Sequence, residues 1–202
     1  MQRSHKRNHT GIFGGGGSGK TTFATKYICN ATSELVSIFD PEDEFSEILG
    51  IDQAETPEEI DAAIRSGWFL FGPHRMFAGD LEGALAYFSS LVLRVSMELP
   101  GRKFFVVDEL GRYVSGSSVP KPLKVLVQTG RRYGIDCVFI GQQPNELHNT
   151  IRTQLSSVVC FQLTDETALE FPKNFGFNTE SVRQLPPHNW ICRTNQGIEV
   201  RS

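Results

Sequence analysis

The sequence has 202 residues, 39% of them hydrophobic and 21% charged, with a formal net charge of -3. That composition suits one globular domain, expected to span residues 1–202, with enough core to need no disulfide staples. With that charge the surface as a whole does not advertise nucleic-acid binding, so any such contact must be local or built by assembly. No apolar run reaches the roughly 20 residues of a membrane span, and no secretion signal is present. The stretch Met1 to His9 is basic and reads as a short solvated arm. Cys29, Cys137, Cys160 and Cys192 lack CxxC spacing, and three of them sit in apolar runs, as reduced buried thiols do.

Apolar runs alternate with helical patterns along the chain, the signature of an α/β fold with a mainly parallel sheet. A short strand is expected from Thr10 to Phe13, then a glycine loop and a helix through Cys29. The next strand, Leu35 to Phe39, ends at Asp40. Thr56-Pro57-Glu58-Glu59 carries an N-cap threonine, a proline at the first helical position and a glutamate at the third, so a helix starts there and stops near Gly67. Trp68 to Phe71 reads as a strand and Leu81 to Leu99 as a long amphipathic helix. Lys103 to Val107 is a buried strand ending on Asp108 and Glu109. A Gly/Ser loop, Gly111 to Ser118, leads to a helix from about Pro120 to Arg132. Ile135 to Ile140 is a strand, Glu146 to Gln154 a helix and Val158 to Leu163 a strand. Trp190 to Arg193 and Ile198 to Val200, around Asn195-Gln196-Gly197, form a C-terminal β-hairpin.

Gly14, Gly15, Gly16, Gly17, Ser18, Gly19, Lys20 and Thr21 match G-x-x-x-x-G-K-[ST] in full, with Thr22 following. Phosphate oxygens need bare backbone N–H groups and conformations closed to residues with a Cβ. The helix that follows aims its N-terminus at the anion. Lys20 adds a full charge at the β- and γ-phosphates, and the Thr21 hydroxyl ligates Mg²⁺. Asp108 and Glu109 are costly at the end of an apolar strand unless compensated, and Mg²⁺ beside the loop compensates them. Asp108 is assigned to the metal, through water, and Glu109 to polarising the attacking water.

Gln142, after Val138 to Gly141, either senses the γ-phosphate and the lytic water or caps the helix after Pro144. Arg131 and Arg132 sit near a helix C-terminus, where the dipole favours cations, or act as arginine fingers on a neighbour's nucleotide. Lys121 and Lys124, after the Gly/Ser loop, either track nucleic-acid phosphates without reading bases or line a solvated helix face.

Taken together, these features resemble the FtsK/HerA superfamily, and within it the genome-packaging ATPases of membrane-containing icosahedral viruses. The likeness rests on the glycine loop, Ile38-Phe39-Asp40-Pro41 with Glu44, Val106 to Glu109, and Gln128 to Asp136 leading to Phe139 to Pro144. It implies a RecA-like P-loop NTPase core, ATP as the nucleotide, a homo-hexameric ring with double-stranded DNA in its pore, and an arginine donated in trans. Capsid or portal-vertex proteins, the host cytoplasm and the virion follow from the same resemblance. The competing expectations are a cellular HerA-like or conjugation-type translocase, a P-loop kinase and an ATP-dependent assembly module.

Overall fold

A computed structural model describes residues 8–114, 118–194 and 197–201. The strands β1 (Thr10–Phe13), β2 (Leu35–Phe39), β3 (Trp68–Phe71), β4 (Lys103–Val107), β5 (Ile135–Gly141) and β6 (Ser157–Cys160) run parallel. Their near-continuous apolar sequences are what a parallel sheet covered on both faces demands. β7 (Trp190–Thr194) and β8 (Gly197–Arg201) add an antiparallel pair, the expected hairpin, whose turn residues 195–196 lie outside the described residues. The order is β3-β2-β4-β5-β1-β6-β7-β8 in one eight-stranded sheet.

Side chains alternate across each strand, so the sheet has two cores. One face carries Phe39, Phe69, Phe71, Phe105 and Phe139 beneath α5 (Leu81–Glu98) and α6 (Lys121–Thr129). The other carries Ile12, Ile38, Val106, Val138 and Ile140 beneath α1 (Lys20–Cys29) and α2 (Glu44–Leu49). α3 (Pro57–Ser66) starts with the expected capping box: Thr56 accepts from the Glu59 amide while Glu59 accepts from the Thr56 amide at 3.0 Å. Asp80 caps α5 through the Gly83 amide at 2.9 Å. Among the described residues no helix is long and apolar enough to cross a membrane.

Several elements differ from the sequence expectation. The helix expected through Arg132 ends at Thr129, and Gly130–Tyr133 tightens into a 3₁₀ turn closed by Gly134 at φ 76°. The helix expected over 146–154 is only α7 (Asn149–Arg152), with a 3₁₀ turn at Pro144–Glu146 before it. His148 interrupts the run by taking the Thr150 amide at 3.1 Å, an N-cap between the two pieces. The strand expected through Leu163 stops at Cys160, where its ladders with β1 (Phe13 opposite Cys160) and β7 (Ile191 opposite Cys160) both end, although Phe161 and Leu163 stay buried. α2, α4 (His74–Phe77), α8 (Glu166–Asn174) and α9 (Thr179–Arg183) have no counterpart in the sequence reading. Of the cysteines, Cys137, Cys160 and Cys192 are buried and Cys29 is exposed.

Candidate nucleotide site

Parallel strands gather chemistry at their C-terminal ends, and β1, β4 and β5 are neighbours here. Phe13 pairs with Gly141 and Val107 with Phe139, so the residues that follow each strand emerge at one edge. They line a cavity of about 530 Å³ that includes Gly16 to Thr22, Asp108, Glu109 and Gln142. Gly14 packs against Phe161, whose Cβ would lie 2.5 Å from any Cβ added there. Gly17 and Gly19 take φ of 69° and 98°, values that side chains resist. Nothing lies within 4 Å of a Cβ position at Gly15 or Gly16, so this stretch of backbone is open to a ligand.

Lys20 opens α1, and its Nζ donates to the Gly15 carbonyl at 3.1 Å, spanning the loop. Thr21 Oγ1 lies 3.1 Å from Asp108 Oδ2 and 3.0 Å from Glu44 Oε2. One hydroxyl proton cannot serve two carboxylates. Burial first, then the Glu44 carboxylate, push the Asp108 acid up to about 6. Glu109 holds φ 46°, a left-handed conformation that a residue with a Cβ adopts at a cost of about 1–2 kcal/mol. Its backbone amide donates to Asp108 Oδ1 at 2.8 Å, and Gln142 Nε2 donates to its Oε1 at 3.3 Å. The helix-cap alternative for Gln142 is not realised: the adjacent turn is capped at Gln143, without a side-chain bond.

Glu44 is the residue that sequence reasoning noted without giving a role. It reaches the site because Asp40 holds α2: the Asp40 carboxylate accepts from the Phe45 amide at 3.1 Å and the Ser46 amide at 2.9 Å. Gln53 Nε2 donates to the same carboxylate at 3.2 Å, and burial raises the Asp40 acid. His188, also at the cavity, packs near Gly19 and went unremarked because it arrives on the loop before β7.

A divalent cation fits this donor set. Asp40, Glu42, Glu44, Asp108 and Glu109 all line the cavity. A cavity so rich in carboxylates would repel a polyphosphate unless a cation stood between them. Thr21, Asp108 and Glu44 offer convergent hard oxygens, the kind Mg²⁺ prefers. Among the described residues no group of three or more His, Cys, Asp or Glu could hold a metal alone, so water and phosphate would complete the shell.

Arg131 and Arg132 are not at this cavity. They sit exposed in the turn before β5, at the opposite end of the sheet. The 7 residues of β5 alone put roughly 20 Å between the two ends, at about 3.3 Å per residue. The glycine loop of the same chain is therefore out of their reach. Lys121 and Lys124 are exposed at the start of α6, and residues 115–117 of the preceding Gly/Ser loop lie outside the described residues.

No protein-family model and no curated protein matches the sequence. Solved structures do match its fold. The genome packaging NTPase B204 of Sulfolobus turreted icosahedral virus 2, in complex with AMPPCP, is 15% identical with a TM-score of 0.72, covering 96% of this chain and 97% of that one. B204, the DNA-packaging ATPase of Sulfolobus Turreted Icosahedral Virus, is 14% identical with a TM-score of 0.69, covering 98% of each. The pCW3 conjugation coupling protein TcpA, with ATPγS, is 14% identical with a TM-score of 0.62, covering 97% of this chain and 60% of that one. In fold, the chain stands with the viral genome-packaging NTPases and the conjugation coupling ATPases, the resemblance already visible in its sequence.

Proposed function

We propose that the chain is a Mg²⁺-dependent ATPase that translocates double-stranded DNA, packaging a viral genome into a preformed capsid as a homo-hexameric ring. The observation that carries the hydrolytic part is the Thr21 hydroxyl held between Asp108 and Glu44, beside a glycine loop open to phosphate. The DNA and capsid parts draw their support from the shared fold, which B204 and TcpA also have. Capsid or portal-vertex partners, the host cytoplasm and the virion belong to this reading. A conjugation-type translocase would use the same site and differ in its partners.

In this reading, backbone amides from Gly15 to Thr21 and the Lys20 ammonium hold the β- and γ-phosphates. Thr21 and Asp108 would hold Mg²⁺, with the Glu44 carboxylate, also within reach of the Thr21 hydroxyl, as a further oxygen donor. The bound ion would neutralise charge on the phosphates and on the leaving ADP. Glu109 accepts a proton from the attacking water as that water bonds to the γ-phosphorus and the bond to the ADP oxygen breaks. Gln142 steadies the Glu109 carboxylate through the 3.3 Å bond. Because the acceptor is water, the pair Glu109–Gln142 favours hydrolysis over transfer to a second substrate, as a kinase would require.

Glu109→Gln tests this. The variant should bind ATP as the wild type does and lose turnover by about 10²–10⁴-fold. Unchanged turnover would remove Glu109 from the chemistry, and an assembly module that uses ATP only to associate would be unaffected by the change.

A further inference from the structure

Among the described residues, the large apolar side chains left exposed are Ile48 at 49%, Met97 at 54% and Val125 at 37%. They occupy two separate places. Met97 and Val125, with Leu93 and Pro122, line a shallow groove of about 310 Å³ between α5 and α6, rimmed by Arg94 and Lys121. Met97 also borders the hollow beside the turn that carries Arg131 and Arg132, so groove and arginines form one continuous surface. Ile48 projects from α2 on the other face of the sheet, at the mouth of the nucleotide cavity.

The two places carry opposite charge. Residues 89–98 and 118–133 contain Arg94, Lys121, Lys124, Arg131 and Arg132, with Glu98 the one carboxylate. Residues 40–64 contain no Lys or Arg, and although Arg112 pairs with Glu42 at 3.3 Å, Asp43, Glu44 and Glu47 flank Ile48 along the chain. Like faces would repel: two grooves would bring Arg94 and Lys121 onto their copies, and two α2 helices would oppose their acids. Unlike faces attract, and they lie on opposite sides of one sheet, so they cannot meet within one chain.

We propose that the α5/α6 groove is the docking surface for α2 of a second copy of this chain, with Ile48 seated between Met97 and Val125. The contact is head-to-tail, so it repeats from chain to chain instead of stopping at a pair, and it forms a ring where the rotation between copies closes. It brings one subunit's Arg131 and Arg132 toward the cavity that the neighbour's Ile48 borders. That last consequence rests on the proposed ATPase site; the docking surface itself does not.

Disulfide trapping tests the surface on full chains in which the exposed Cys29 is changed to Ser. Ile48→Cys chains mixed with Met97→Cys chains should cross-link under oxidation, and a chain carrying both changes should give a ladder of covalent multimers. Either single variant alone should give none. Lys121→Glu should disperse the assembly in sedimentation, and adding Glu47→Lys should restore it. Cross-linking confined to single-variant dimers, or a chain that stays monomeric with and without Mg-ATP and duplex DNA, would overturn the proposal. Titration with a fluorescent ATP analogue, run on Met97→Glu, keeps the two readings apart. Binding that persists while assembly is lost places the fault at the surface, whereas wild-type protein that assembles and binds no nucleotide refutes the site and leaves the surface standing.

Discussion

Thr21 has one proton to give and two carboxylates within reach, and Asp108 bears the consequence. Its acid rises from 3.8 to about 6, chiefly through burial. The unfolded chain therefore ionises Asp108 at lower pH than the folded chain does. Stability from this group is intact below pH 3.8, falls as pH climbs to about 6 and is constant above, a loss of up to about 3 kcal/mol. Asp108→Asn removes that penalty. Urea denaturation without nucleotide should find the variant more stable than wild type at pH 8, with the gap closing toward pH 4. A gap that does not change with pH would contradict the account. The same variant should lose Mg²⁺-dependent turnover, which separates what the residue costs in folding from what it does in chemistry. Glycine loop, lysine and acid pair were legible because each letter of the motif answers a local demand of phosphate or metal. Glu44 was not, since its place beside Thr21 depends on an element that brings it across the cavity.

That element is α2, with 6 residues. Its N-cap, Asp43, has φ 61° and makes no side-chain cap bond, so the sequence shows no ordinary helix start. The capping is done from further back by Asp40, on the Phe45 and Ser46 amides. Asp40→Ala should destabilise the protein by about 1 kcal/mol, as a lost cap does, and raise the Mg²⁺ concentration needed for half-maximal turnover. Unchanged Mg²⁺ dependence would mean that Glu44 does not act on the metal site. Thr56→Ala should cost a similar amount, about 1 kcal/mol, through the α3 capping box, and leave turnover alone. α3 was readable because its cap lies in a contiguous motif. α7 and α9 are too short for an apolar period to show, and α8 carries Pro172 inside it, a residue that argues against a helix interior.

For the whole molecule, strands announced themselves as apolar runs because both sheet faces are covered, but the order β3-β2-β4-β5-β1-β6 was not written in them. Any parallel arrangement would bury those runs equally well. The order matters because it sets Asp108 and Gln142 beside the glycine loop and leaves Arg131 and Arg132 at the far end of β5. Lys103 ties that far end together: its Nζ donates to the Tyr133 carbonyl at 2.8 Å and to the Leu99 carbonyl, joining the end of α5 to the arginine turn. An arginine so placed can serve a nucleotide only in another subunit. In the proposed reading, ATP hydrolysis at Gly14 to Thr21 drives movement on duplex DNA. Phosphate release by the purified chain, with Mg-ATP and no added acceptor, tests it most directly when measured with and without linear duplex DNA. Release that rises with duplex DNA and vanishes in Lys20→Ala is the expected result; a rate indifferent to DNA, or undiminished in Lys20→Ala, would contradict it.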